Sequence, residues 1–96
     1  MTPRFAVRTT PLFDRLLRRL SHQHPELVPL YARALGILET DPVNVGRQHN
    51  ILKLAAVPAG EGQYRLALGR FRFRYDIYGQ EVVLQRCSLR REDTYD

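Results

Sequence analysis

Cysteine is nearly absent. Cys87 stands alone among 96 residues, which excludes an internal disulfide, fits a reducing compartment, and leaves the thiol as a small buried hydrophobe. No apolar run approaches the roughly 18 residues needed to span a membrane. The opening MTPRFAVRTT lacks the hydrophobic stretch of a secretory leader, so a cytoplasmic protein with no membrane partner is expected. There is no glycine-rich phosphate loop, no cysteine cluster, no internal repeat and no low-complexity segment. The carboxylates Glu26, Glu39, Asp41, Glu61, Asp76 and Glu81 are scattered, with no acid/base pair among them. His22 and His24 have no third ligand in their neighbourhood, so no metal is expected. His49 reads as a solvated loop histidine, and nothing calls for a cofactor. Lysine is also scarce: Lys53 is the only one among 15 basic residues, and the others are arginine. Against 10 acids this leaves a net charge of +5. A basic domain implies an anionic partner, either nucleic acid or an acidic protein.

A length of 96 residues, 44% of them hydrophobic, makes one domain spanning 1–96 with a modest core. Residues 5–9 read as a short strand. Thr10 and Pro11 then open a helix, threonine as the N-cap and proline at the first position, where its missing N–H has no role. Leu12, Phe13, Leu16, Leu17 and Leu20 recur at helical spacing through about residue 21. Arg15, Arg18 and Arg19 lie off that stripe as a solvated face. A second helix runs over about 29–40, with a start as early as Pro25 open. Its buried stripe is Leu27, Leu30, Tyr31, Ala34, Leu35 and Leu38, and it ends at Asp41-Pro42 because the residue before a proline is pushed out of the helical region. The short connection predicts an antiparallel helical hairpin. Residues 42–62 are the least readable; only 50–55 look ordered, as a strand-like piece or a single turn that drops Ile51 and Leu54 into the core. A loop this long is often functional.

From Tyr64 to Asp76 the chain reads YRLALGRFRFRYD. Its second half alternates arginine with an aromatic: Arg70, Arg72 and Arg74 on one parity, Phe71, Phe73 and Tyr75 on the other. A strand sends successive side chains to opposite faces, so one face enters a core and the other carries guanidiniums roughly 6.7 Å apart. A two-residue turn at Gly69-Arg70 is of type II′, with glycine first. It pairs Leu68 with Phe71, Leu66 with Phe73 and Tyr64 with Tyr75 on the apolar face. On the other face it pairs Ala67 with Arg72 and Arg65 with Arg74. Turn length and hydrophobic parity agree on this one register. Arg70 falls in the turn, outside the cluster. A further turn near Gly79 leads to a strand over about 81–89. Its apolar residues do not alternate cleanly, which predicts a central strand covered on both sides. Arg86, Arg90 and Arg91 come from this strand and its exit, and Tyr95 follows. Two readings stand at this point: an exposed sheet face kept soluble by arginine, or an anion site, since clustered guanidiniums bind phosphates bidentately and stabilise a pentavalent phosphate.

The run Tyr64–Asp76 resembles the "YRLRxGxYRxxY" core of the RelE/ParE superfamily of toxins from type II toxin–antitoxin modules. The likeness extends along most of the chain: the opening strand, Thr-Pro and a helix with Phe13-Asp14, the helix end at Asp41-Pro42, Leu52-Lys53-Leu54, Val82-Val83-Leu84, and Arg90-Arg91-Glu92-Asp93-Thr94-Tyr95. It implies a small α+β domain, two N-terminal helices packed on a twisted antiparallel sheet of three to four strands. It also implies one of two activities. RelE-like members cut mRNA in the ribosomal A site, where the 2′-hydroxyl attacks the adjacent phosphate. ParE-like members inhibit DNA gyrase without nuclease activity. A binding module of low toxicity is a third reading. By position in the motif, Arg65 is a phosphate contact or proton-transfer group and Arg72 stabilises the transition-state phosphate. Arg91, with Arg90 as its competitor, is a general acid or leaving-group stabiliser, and Tyr95 stacks on a base. Lys53, Arg74, Arg86 and Arg90 supply further RNA or phosphate contacts. Ala67 falls where many members carry a second lysine or arginine. The expected partners are an antitoxin with an acidic or amphipathic segment, the ribosome, and mRNA.

Overall fold

A computed structural model of the protein describes residues 4–90. The elements run β1 (Ala6–Thr9), α1 (Pro11–Gln23), α2 (Leu27–Thr40), β2 (Ile51–Lys53), β3 (Tyr64–Leu68), β4 (Phe71–Tyr78) and β5 (Glu81–Leu89). The strands form one sheet in the order β1-β5-β4-β3-β2. This is α+β as expected, but the sheet has five strands and is mixed, because β1 lies parallel to β5 while the other pairs are antiparallel. Parallel strands need a crossover connection, and here α1 and α2 begin it. Among the described residues no helix is long and apolar enough to cross a membrane.

Thr10 caps α1 as its sequence predicts. Its Oγ1 accepts the N–H of Phe13 at 3.1 Å and its own N–H donates to the carbonyl of Leu84, which ties the helix start to β5. The α1 stripe buries Phe13 and packs Leu16, Leu17 and Leu20 against the sheet. Helix α2 starts at Leu27, between the two expected positions, and buries Leu27, Ala34 and Leu38. Both helices close one face of the sheet over Leu66, Phe71, Phe73, Tyr75, Val82, Leu84 and Cys87.

The β3–β4 hairpin has the register its turn and parity dictate, from Leu68↔Phe71 to Tyr64↔Tyr75. Gly69 sits at φ 57° and Arg70 is not among the positive-φ residues, as a type II′ turn requires. A Cβ at Gly69 would lie 3.2 Å from Leu30 Cδ1, so this turn is also pressed onto α2.

The expectation that residues 81–89 are covered on both sides is corrected. Only one face of β5 is buried, and the broken alternation has another cause. Between β4 and β5 the register slips: Arg74 pairs with Arg86 but Tyr75 with Leu84, so Gln85 is an extra residue, a β-bulge. The parity of β5 reverses there. Val82 and Leu84 before the bulge and Cys87 after it all face the core. Arg86 and Ser88 consequently turn to the face away from the helices.

Candidate functional site

The sheet face away from the helices carries the arginines. Arg65 on β3 pairs with Arg74 on β4, which pairs in turn with Arg86 on β5; Arg72 pairs with Ala67 and Ser88. Like charges directly across a ladder repel, and here they sit in one row over three adjacent strands. Arg65, Arg72, Arg74, Ser88 and the loop residue Leu54 line a concavity of about 300 Å³. Burial, followed by the neighbouring charges of Arg65 and Arg90, holds the Arg72 guanidinium below its ordinary pKa.

A buried acid shares this face. Asp76 is 1% exposed, and its carboxylate is fully engaged. Oδ2 accepts the N–H groups of Gly60 and Gly62, each at 3.0 Å, and the side-chain amide of Gln85 at 3.0 Å; Oδ1 accepts the N–H of Gln63 at 2.9 Å. The bulge residue thus completes the shell around Asp76. Arg74 reinforces the same loop by donating Nε and Nη2 to the carbonyl of Gly62 at 3.0 and 2.9 Å. Gly62 has φ 87°, and a Cβ there would meet Arg74 Cβ at 2.8 Å, so only glycine fits. The loop of residues 54–63 is therefore strapped to the sheet, and its first residue, Leu54, lines the concavity.

The structure brings Arg65, Arg72 and Arg74 together, although Arg74 spends its planar fork on the loop. Arg90 follows β5 close enough to act electrostatically on Arg72. Arg86 is on the same face, exposed and outside the concavity. Lys53 is not part of the cluster. It pairs with Tyr64, on the parity of the core face, and its Nζ lies over the Tyr64 ring, 5.6 Å from the centroid. Arg91 and Tyr95 lie outside the described residues. Arg70 points the other way from the turn, its Nη2 3.3 Å from Glu26 Oε2. His49 lines a separate groove beside Arg33 and Thr40 of α2. Among the described residues no group of three or more His, Cys, Asp or Glu is placed to hold a metal.

Two contributors, Ser88 and Asp76, escaped the sequence reading, and the expectation for a third is corrected: Ile51 packs against the core, but Leu54 lines the concavity on the arginine side instead. Ser88 becomes visible once the bulge is known. The signal for Asp76 was the pair of glycines at 60 and 62, whose free N–H groups suit a carboxylate, but its location was legible only with the loop in place.

Compared with known proteins, the chain matches no family model, no curated protein and no solved structure. The RelE/ParE resemblance rests on the motif residues themselves.

Proposed function

We propose that this protein is the toxin of a type II toxin–antitoxin module of the RelE/ParE kind, acting in the cytoplasm as a ribosome-dependent mRNA endonuclease. The observation that carries the reading is the convergence of Arg65, Arg72 and Arg74 from two paired strands on one concavity. Such a site suits phosphodiester cleavage. The 2′-hydroxyl of one nucleotide attacks the adjacent phosphorus, the bond to the 5′-oxygen breaks, and the extra negative charge of the pentavalent state falls on oxygens that guanidiniums grip bidentately. Arg72, half-buried between strands, is the transition-state ligand; Arg65 positions the phosphate. Arg91 and Tyr95 take the leaving-group and base-stacking roles that the family motif implies.

The test is primer extension on an mRNA being translated. Cleavage by the wild-type chain and its loss in folded Arg72→Ala supports the reading; unimpaired cleavage by folded Arg72→Ala overturns it. One observation favours a second reading. Ala67 is the cross-strand partner of Arg72, at the position where many family members have another basic residue. A ParE-like gyrase inhibitor has no need of that charge. Inhibition of supercoiling with mRNA left intact would establish it, whereas expression without growth arrest would point to a binding module of low toxicity.

The partner in either case is an antitoxin whose acidic or amphipathic segment folds on the basic surface. Its association weakens steeply as salt rises.

A further inference from the structure

The concavity is not lined by charge alone. Leu54 forms part of its wall. Leu52, 50% exposed, stands beside it on the edge strand β2 and pairs with Arg65, on the arginine face. A bare phosphate needs no apolar wall, whereas a ligand with an apolar face would remove the exposed leucine surface from water. A nucleotide has both parts, an anionic phosphate and an apolar base face.

The wall is also held in place. The N–H of Leu54 donates to the carbonyl of Gln63 at 2.7 Å, and the N–H of Gln63 donates to Asp76 Oδ1 at 2.9 Å. A buried carboxylate, a single loop residue and Leu54 thus form one continuous relay from the centre of the sheet to the rim of the concavity.

We propose that Leu54 is a base-contacting residue of this site, beside the stacking role given to Tyr95, and that Asp76 is its positioning residue, so that the concavity takes a nucleotide unit of single-stranded RNA rather than any free phosphate. The proposal rests on the reading of the arginine face as an RNA site. In this arrangement Arg65 and Arg72 hold the phosphate while the base lies on the Leu54–Leu52 shelf. Aliphatic packing does not distinguish the bases by hydrogen bonds, so the preference is for a base over none, not for one base.

The experiment compares two probes of equal length bound to the full chain: a short 2′-O-methyl RNA, which cannot be cleaved, and the same oligonucleotide with abasic sugars. The wild-type chain binds the base-bearing RNA more tightly. Leu54→Ala lowers that preference about tenfold, as loss of most of a packed leucine side chain predicts, without changing abasic affinity. Asp76→Asn lowers the same ratio, and it releases the amides of Gly60, Gly62 and Gln63 to fast hydrogen exchange. No preference in the wild type, or an undiminished one in Leu54→Ala, overturns the proposal. An Asp76→Asn chain with freely exchanging loop amides but an unchanged ratio removes Asp76 from it. Arg72→Ala separates the two ideas by weakening both probes equally. If it weakens neither while the Leu54 dependence persists, the phosphate reading falls by itself. If it weakens both and the wild type shows no preference for bases, the Leu54 assignment falls alone.

Discussion

Arg74 holds the carbonyl oxygen of Gly62 with two nitrogens, at 3.0 and 2.9 Å, and packs where any side chain on residue 62 would have to go. An arginine that reads as one of a row of ligands is therefore a structural clamp. The row of charge becomes a site with a wall.

Removing either half of this clamp lowers stability. Arg74→Ala leaves the Gly62 carbonyl without its donors and is expected to destabilise by about 1–2 kcal/mol. Gly62→Ala forces a positive φ and a close contact at once, for about 2–4 kcal/mol. Urea unfolding followed by far-UV circular dichroism measures both, and Gly62→Ala should have the lower midpoint.

Arg72 and Arg74 should separate in activity. Arg72→Lys keeps the charge but loses the planar fork, and a fall in cleavage rate of about 100-fold is expected. Arg74→Lys should cleave within about tenfold of wild type, since a lysine still donates to one carbonyl. Rates come from primer extension with protein in excess of ribosomes.

The chain between α2 and β2 is held by the ionised Asp41 carboxylate. Burial alone would raise the Asp41 pKa, but the N–H groups of Gly46 and Val45, at 2.9 and 2.7 Å, outweigh it and hold the carboxyl below its ordinary 3.8. A depressed folded-state pKa stabilises above the unfolded value and is lost as pH falls through the folded one. Asp41→Asn should thus be less stable than wild type at pH 6, and the gap should shrink toward pH 2. Urea midpoints at the two pH values give the comparison.

At alkaline pH the sign reverses in origin. Burial raises the phenol of Tyr75 above its ordinary 10.0, and its hydroxyl donates to the Pro42 carbonyl at 2.6 Å. Burial also pushes the Cys87 thiol from 9.0 up to about 12. The unfolded chain releases these protons first, so stability should fall as pH rises above about 9. Tyr75→Phe should flatten the part of that decline above pH 10 while losing about 1–3 kcal/mol at neutral pH, where the Pro42 carbonyl is left unsatisfied.

The local pattern was enough for a good deal. Parity and a two-residue turn set the β3–β4 register residue by residue, because a slip by one would have turned Phe71, Phe73 and Tyr75 to the wrong face. Threonine and proline set the start of α1, and Asp41-Pro42 the end of α2, through backbone constraints acting within a few residues. Arg65, Arg72 and Arg74 were legible as one cluster for the same reason. What tertiary structure alone decided involves partners distant in sequence. The parallel docking of β1 on β5 joins residues 6–9 to 81–84, and no local periodicity reports such a pairing. The bulge at Gln85 reversed the parity of β5, moving Ser88 to the site and Cys87 to the core. The loop of residues 54–63 had no period to read, because it is organised from outside itself, by a carboxylate and a guanidinium on β4. That anchoring takes Arg74 for the loop, brings Leu54 to the rim, and turns a basic strand face into a shaped concavity.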